Sequence, residues 1–298
     1  MQTLYTLASL EHDAEQNKKA AARILNDKLE HVLDIFTVSV LYSIRIAQYA
    51  ETDASKRLSK YLQSNEDKNV DTRIAENSFV KKMTSNASFT EKIKKDKLDR
   101  FVDEEWVKKI FLNLVKTEEY ARYIEEKAPT PVQEKEIIQF IWEKQILENE
   151  GMVSHFNDEL PGWEDDQELI IMLMQNFFKS TARVNFQNLL SGEKKEYAQD
   201  LLTAVIEKQA PCMELIEPKL NNWDKDRVAL IDLLLLRMGV CEFLFFPTIP
   251  TKVTINEYID IAKQYSTPQS GQFVNGVLDN ILKDLEKEDR VRKMDRKN

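Results

Sequence analysis

The sequence predicts an all-α fold. Three observations carry that reading. Glycine and proline are scarce, 6 and 8 of 298 residues, so the turn chemistry that strand connections need is thin. Long stretches are rich in Leu, Glu, Lys and Gln, which all favour helix. Almost no segment alternates apolar and polar residues cleanly, as a half-buried strand would, whereas apolar residues recur at helical spacing through most of the chain.

Residues 1–11 read as a short apolar helix. A long helical pattern follows over 15–49, with Ile24, Leu25, Val32, Leu33, Ile35, Phe36, Val40, Leu41 and Ile44 on its apolar face. Residues 52–62 continue it or add a turn or two. Residues 63–85 are polar and predict a loop with one short helix near Phe79. Asn86 or Ser88 can cap a basic helix that runs to Arg100. Asp103 can cap a long helix over 104–126, whose acidic first turn suits the helix dipole. Pro129 and Pro131 break the pattern, and Pro131 fits the first turn of the next helix. That helix carries Ile137, Ile138, Phe140, Ile141, Trp142 and Ile146, with Gly151 as its stop.

Residues 152–164 predict a loop around Pro161 and Gly162. Asp165 or Asp166 opens a helix that is apolar from Leu169 to Phe178 and ends near Leu190. Residues 193–209 are amphipathic, with Tyr197, Leu201, Leu202, Val205 and Ile206 on one stripe. Pro211 opens a short helix that reaches Leu220. The most hydrophobic run, residues 230–246, would span only about 25 Å as a helix. Asp232, Arg237 and Glu242 inside it would make a membrane span costly, so it predicts the buried centre of a helical bundle. Two more helices follow, one starting at Thr254 and one at Phe273.

The formal net charge is -9, which argues against a protein wrapped in nucleic acid, because phosphate binding needs a basic face. Two basic runs stand out: Lys92, Lys94, Lys95, Lys97 and Arg100, then Arg290, Arg292, Lys293, Arg296 and Lys297. Each reads first as a solvated helix face or a frayed tail, and RNA contact is the sharper alternative. Cys212 and Cys241 fit no metal spacing and read as free core thiols of a cytoplasmic protein. The N-terminus lacks the charged segment and apolar run of a signal peptide.

Enzyme signatures are absent. There is no glycine-rich phosphate loop, and His12, His31 and His155 form no metal-binding pair. No catalytic residue, metal, cofactor, small-molecule substrate or membrane is expected, and a binding protein outranks an enzyme. Thr254 and Glu257 have the spacing of a capping box that would start the penultimate helix. Gly276 suggests close approach of another helix, and Asn275 a bond to a neighbouring backbone carbonyl. Phe273 lies beside the polar Gln269, Ser270 and Gln272. A ring exposed there could stack on a base, and a helix N-terminus offers free amides to a phosphate.

The stretches KVTINEYIDIAK and QFVNGVLD resemble the C-terminal half of the NusB antitermination factors. The likeness is close over 223–285 and moderate over 195–222. Gln2-Thr3-Leu4-Tyr5 also resembles the start of the family's first helix, without the arginines that precede it there. By that comparison the chain starts inside the first helix, at a methionine internal to its reading frame, or is a shortened protein.

The resemblance implies two packed helical subdomains, the N-terminal one enlarged by an insertion of about 12–190. The expected domains are then 1–210, 211–290 and a charged tail over 291–298. It also implies an RNA-binding antitermination factor that acts with NusE, a small-subunit ribosomal protein, on boxA RNA within the RNA polymerase antitermination complex. Gln2, Tyr5, Gln269, Ser270, Gln272 and Phe273 would face RNA. Asp232 would sit at the NusE contact, with Leu220, Trp223 and Asp226 near it. Gln269 and Ser266 depart from the acidic residue and the glycine that the family often has there. A protein-interaction scaffold without RNA binding, or the bundle domain of a ribosomal RNA methyltransferase, are the competing readings.

Overall fold

The computed structural model describes residues 1–8, 14–62, 64, 70–180, 184–188, 190–220 and 228–293. Among them every regular element is helical and there is no strand. The chain divides into two compact units, Met1–Lys28 with Leu190–Asn298, and Leu29–Leu189. The expected boundary at residue 210 falls inside the first of these.

The 29–189 unit is built on the part of the long helix α2 (Ala14–Leu58) that follows Lys28. Between Val32 and Ala50 it is buried almost all round rather than on one face. Its buried Thr and Ser hydroxyls are satisfied locally. The hydroxyls of Thr37, Ser39 and Ser43 donate to the carbonyls of Leu33, Ile35 and Ser39, four residues back, which lets a buried helix carry hydroxyls without outside partners.

Around it stand α3 (Ser78–Thr84), α4 (Ala87–Asp96), α5 (Glu104–Leu114), α6 (Glu118–Glu125), α7 (Pro131–Phe140), α8 (Glu150–Glu159) and α9 (Trp163–Lys179). Rings bind them to α2. Phe36 meets Phe177 and Phe186, Tyr42 meets Phe156, and Tyr49 meets Phe111.

Local signals explain most of the boundaries. Asn86 caps α4 by accepting the Phe89 amide, and Asp103 caps α5 by accepting the Glu105 amide. Thr130 and Gln133 form a reciprocal capping box with Pro131 at the first helical position, a pairing that satisfies two otherwise orphaned groups. The basic helix ends at Asp96 rather than Arg100, because Lys97 turns to a left-handed conformation.

Three sequence expectations need correction here. The single helix over 104–126 is two, since Thr117 accepts the Tyr120 amide and starts α6. Gly151 does not stop a helix. It lies in the first turn of α8, a helix that takes up most of the predicted loop over 152–164, behind Asn149, which accepts the Met152 amide. A Cβ at Gly151 would lie 2.7 Å from the Trp106 ring, so glycine is there for packing. The preceding helix instead ends in a π-helical stretch, Ile141–Ile146, with the Leu147 amide donating to the Trp142 carbonyl. Gly162 has φ 78 and precedes α9, a conformation glycine adopts without a Cβ penalty.

The first unit comprises α1 (Gln2–Ala8), α10 (Gly192–Glu207), α11 (Gln209–Ile216) with a 3-10 turn at Glu217–Leu220, α12 (Leu230–Phe245), α13 (Thr251–Tyr265) and α14 (Ser270–Lys287). Helix α12 is its centre, with α1, α10, α11, α13 and α14 all packed on it. Leu234, Leu235 and Leu236 are buried together with Val240 and Phe243, as the hydrophobic run predicts.

The close helix approach falls at Gly239, not at Gly276. A Cβ at Gly239 would stand 2.8 Å from Leu278, whereas Gly276 faces open space. Asn275 is exposed. The reason is register: Phe273, Val274, Val277, Leu278 and Ile281 supply the buried face of α14, and positions 275 and 276 lie on the other side.

Candidate nucleic-acid interface

Two buried carboxyl groups organise the first unit. Glu242 lies in the last turn of α12 and is 4 % exposed. Three hydroxyls converge on it. Tyr258 donates to Oε1 at 2.5 Å, Thr254 donates to Oε2 at 2.7 Å, and Tyr197 also donates to Oε1. A buried acid is tolerated only when its acceptor positions are filled, and here α10 and α13 fill them.

This corrects the expected role of Thr254. Helix α13 starts at Thr251 behind Pro250. Thr254 is therefore buried in the first turn with its hydroxyl on Glu242, while Glu257 is exposed. The Lys293 ammonium donates to the carbonyls of Glu242 and Phe246 at 2.7 and 2.9 Å, which places a cation at the C-terminal end of α12. Lys293 is thus a capping residue rather than part of a frayed tail. Arg296 and Lys297 lie outside the described residues.

Asp232, in the first turn of α12, is 5 % exposed. Its Oδ2 accepts the Ser270 hydroxyl at 2.7 Å, and that hydroxyl also lies 2.9 Å from the Ser266 hydroxyl. A residue expected to face RNA and one expected to face a protein partner are therefore brought together in one buried contact between α12 and the start of α14.

The other sequence-chosen residues divide by exposure. Tyr5 is 48 % exposed on α1, Gln2 is half-buried beside it, and Gln269 and Gln272 are exposed at the start of α14. Phe273 is 5 % exposed, so the expected exposed ring is corrected: register turns it into the core with Val274 and Val277. Leu220 is buried at the end of the 3-10 turn, and Trp223 and Asp226 lie outside the described residues. Sequence reasoning missed Glu242, whose only signal was a charge within the most hydrophobic run.

The basic run over 92–100 is not one surface. Lys92 is buried and ion-paired with Glu30, Asp34 and Asp96, while Lys94, Lys95, Lys97 and Arg100 are exposed.

The hydroxyl network has a measurable consequence. Burial, and for Tyr197 and Tyr258 also the neighbouring Glu242, holds both phenols above the usual tyrosine range. Burial likewise pushes Tyr42 and Tyr120 up to about 12. These groups keep their protons at pH values where the unfolded chain would lose them, so stability is present below the ordinary tyrosine pKa of about 10 and falls as pH rises above it. In an alkaline titration only part of the nine tyrosines should ionise in the native chain. The rest should ionise together with loss of helical circular dichroism. Ionisation of all nine before any helix is lost would contradict the network.

The NusB family matches residues 157–283, described as the NusB family. That span takes in α9 to α13 and most of α14. A Listeria monocytogenes protein named transcription antitermination protein NusB is 41% identical over 95 residues, which cover 32% of this chain and 74% of its own length. The chain belongs to the NusB family. A protein of the same name from Salinibacter ruber is 44% identical over 102 residues, 34% of this chain. The chain spans 64% of that relative's length, just under two thirds. The NusB protein of Desulfatibacillum aliphaticivorans is 43% identical over 98 residues, 33% of this chain and 68% of its own. No solved structure matches the chain significantly. Residues 1–156 lie outside the family match. No helix among the described residues is long and apolar enough to cross a membrane.

Proposed function

We propose that this NusB-family chain is a transcription antitermination factor that binds boxA RNA together with NusE, as part of an RNA polymerase antitermination complex. The reading makes it a binding protein, not an enzyme. The observation that carries it is the family match over residues 157–283, which takes in most helices of the first unit, with relatives that bear the antitermination name. The RNA surface is proposed at Gln2 and Tyr5 on α1 and at Gln269 and Gln272 at the start of α14. An exposed tyrosine ring can stack on a base, and exposed amides can bond to phosphates. Ser270 and Phe273 support that surface from beneath. The partner surface is proposed around Leu220, Trp223 and Asp226, and Asp232 holds α12 to α14.

The test is fluorescence anisotropy with a short single-stranded boxA RNA, with and without NusE, over a salt series. Binding should weaken with salt, by a slope of about 0.7 for each phosphate contacted. Tyr5→Ala should cost about 1–3 kcal/mol of RNA affinity, the usual worth of a stacked base. Asp226→Lys should weaken the NusE complex on a sizing column. A NusE complex with no RNA affinity would favour a protein scaffold instead.

A further inference from the structure

We propose that Cys212 and Cys241 form a modification site, a buried dithiol that a peroxide closes to an intramolecular disulfide. The two sulfurs lie 3.5 Å apart, one on α11 and one on α12, although 29 positions separate them in sequence. Both side chains are fully buried. A bond length near 2.05 Å requires the sulfurs to approach by only about 1.5 Å.

The surroundings are not those of inert core thiols. Arg237 stands one turn before Cys241 on α12. Its Nη2 donates to the Val205 carbonyl at 2.8 Å and to Gln209 Oε1 at 3.3 Å, while its Nε is buried without a hydrogen-bond partner. A guanidinium with unspent donor capacity beside two thiols favours a thiolate. The hydrogen bond shared with Cys241, against the cost of burial and with help from Arg237, holds the Cys212 thiol below its usual range. The same bond and burial push Cys241 up. Cys212 is assigned as the nucleophile and Cys241 as the resolving thiol, an assignment that the two serine variants test.

The chemistry balances with hydrogen peroxide as oxidant. The Cys212 thiolate attacks one peroxide oxygen, the O–O bond breaks, and the departing hydroxide takes up a proton as water. The resulting sulfenic acid is attacked by the Cys241 sulfur. The S–O bond breaks, hydroxide leaves with the Cys241 proton as a second water, and the S–S bond forms. Two sulfurs are oxidised and one peroxide is reduced. Access comes through α11, an eight-residue helix whose Gln209, Ala210 and Pro211 are exposed. A helix that short opens locally more readily than the core behind it.

The test exposes the reduced, folded full-length chain to hydrogen peroxide, then alkylates it under denaturing conditions for mass spectrometry. The expected product is lighter by two hydrogen atoms, resists alkylation, yields a linked Cys212–Cys241 peptide, and reverts with dithiothreitol. Its thermal midpoint should lie above that of the reduced chain. With Cys241→Ser, dimedone should trap a sulfenic acid on Cys212; with Cys212→Ser, Cys241 should stay a thiol under the same exposure. Two alkylatable thiols surviving a peroxide dose that fully oxidises free glutathione would overturn the proposal, and so would disulfides formed only between chains. Equal trapping on Cys241 in Cys212→Ser would overturn the assignment of the nucleophile.

Discussion

Glu242→Ala is expected to destabilise the first unit by about 4 kcal/mol, the scale of removing one side of a buried, fully bonded polar cluster. The truncation does more than delete a carboxyl group. It leaves the hydroxyls of Tyr197, Thr254 and Tyr258 without their common acceptor. It also opens a void at the junction of α10, α12 and α13. Each abandoned hydroxyl costs about 1–3 kcal/mol if no water reaches it. Glu242→Gln keeps one acceptor oxygen and most of the volume, so it should cost less, about 1–2 kcal/mol. Urea unfolding followed by circular dichroism measures both. A loss below about 1 kcal/mol for the alanine variant would mean that the hydroxyls find other partners and that Glu242 does not organise the junction.

Lys92→Met should cost the 29–189 unit about 3 kcal/mol near neutral pH, because it strips the cation from a partly buried acidic cluster. Lys92 is 4 % exposed, and its ammonium lies 2.6 Å from Asp34, 2.8 Å from Asp96 and 3.0 Å from Glu30. Burial would pull its pKa down, but the bonds to Asp34, Asp96 and Glu30 outweigh that and hold it above the usual lysine range. Its stabilising contribution is thus complete below the unfolded lysine pKa of about 10.4 and is lost as pH climbs through the folded value.

The acidic side supplies a second check. Burial already raises the Asp34 pKa, against the pull of Lys92. In the variant that pull is gone, so the folded cluster takes up protons more readily than the unfolded chain does. A raised carboxyl pKa makes stability increase as pH falls. The gap between variant and parent should be widest near pH 7 and narrow toward about pH 4, where the carboxyl groups protonate. Unfolding curves at the two pH values test this, and an unchanged gap would show that the cluster's ion pairing carries no net stability.

Both residues show why the site was harder to read than the helices. Asn86, Asp103 and Pro131 act within one turn of themselves, so their caps were legible from local sequence. The last helix was legible near Phe273, yet its register was not, and one position of register separates an exposed Phe273 from a buried one. Lys92 looked like a member of a solvated basic run because its partners Glu30 and Asp34 lie about sixty positions away on α2. Thr254 looked like a cap because Glu257 is three residues on, whereas Glu242 is on another helix. Thr117 interrupts 104–126 without glycine or proline, and Gly151 is explained only by the ring of Trp106.

What the amino-acid order determined by itself was the helical class, most helix starts, the central place of 230–245 and the likeness of the C-terminal stretches to NusB. These rest on interactions within a few residues, whose energies favour the same outcome in nearly any context. Only the tertiary structure decided which charges are buried, which glycine admits a neighbour and which aromatic ring faces solvent. Those outcomes depend on groups that the chain brings together from far apart, and burial turns a polar side chain from a surface residue into one that must find a partner.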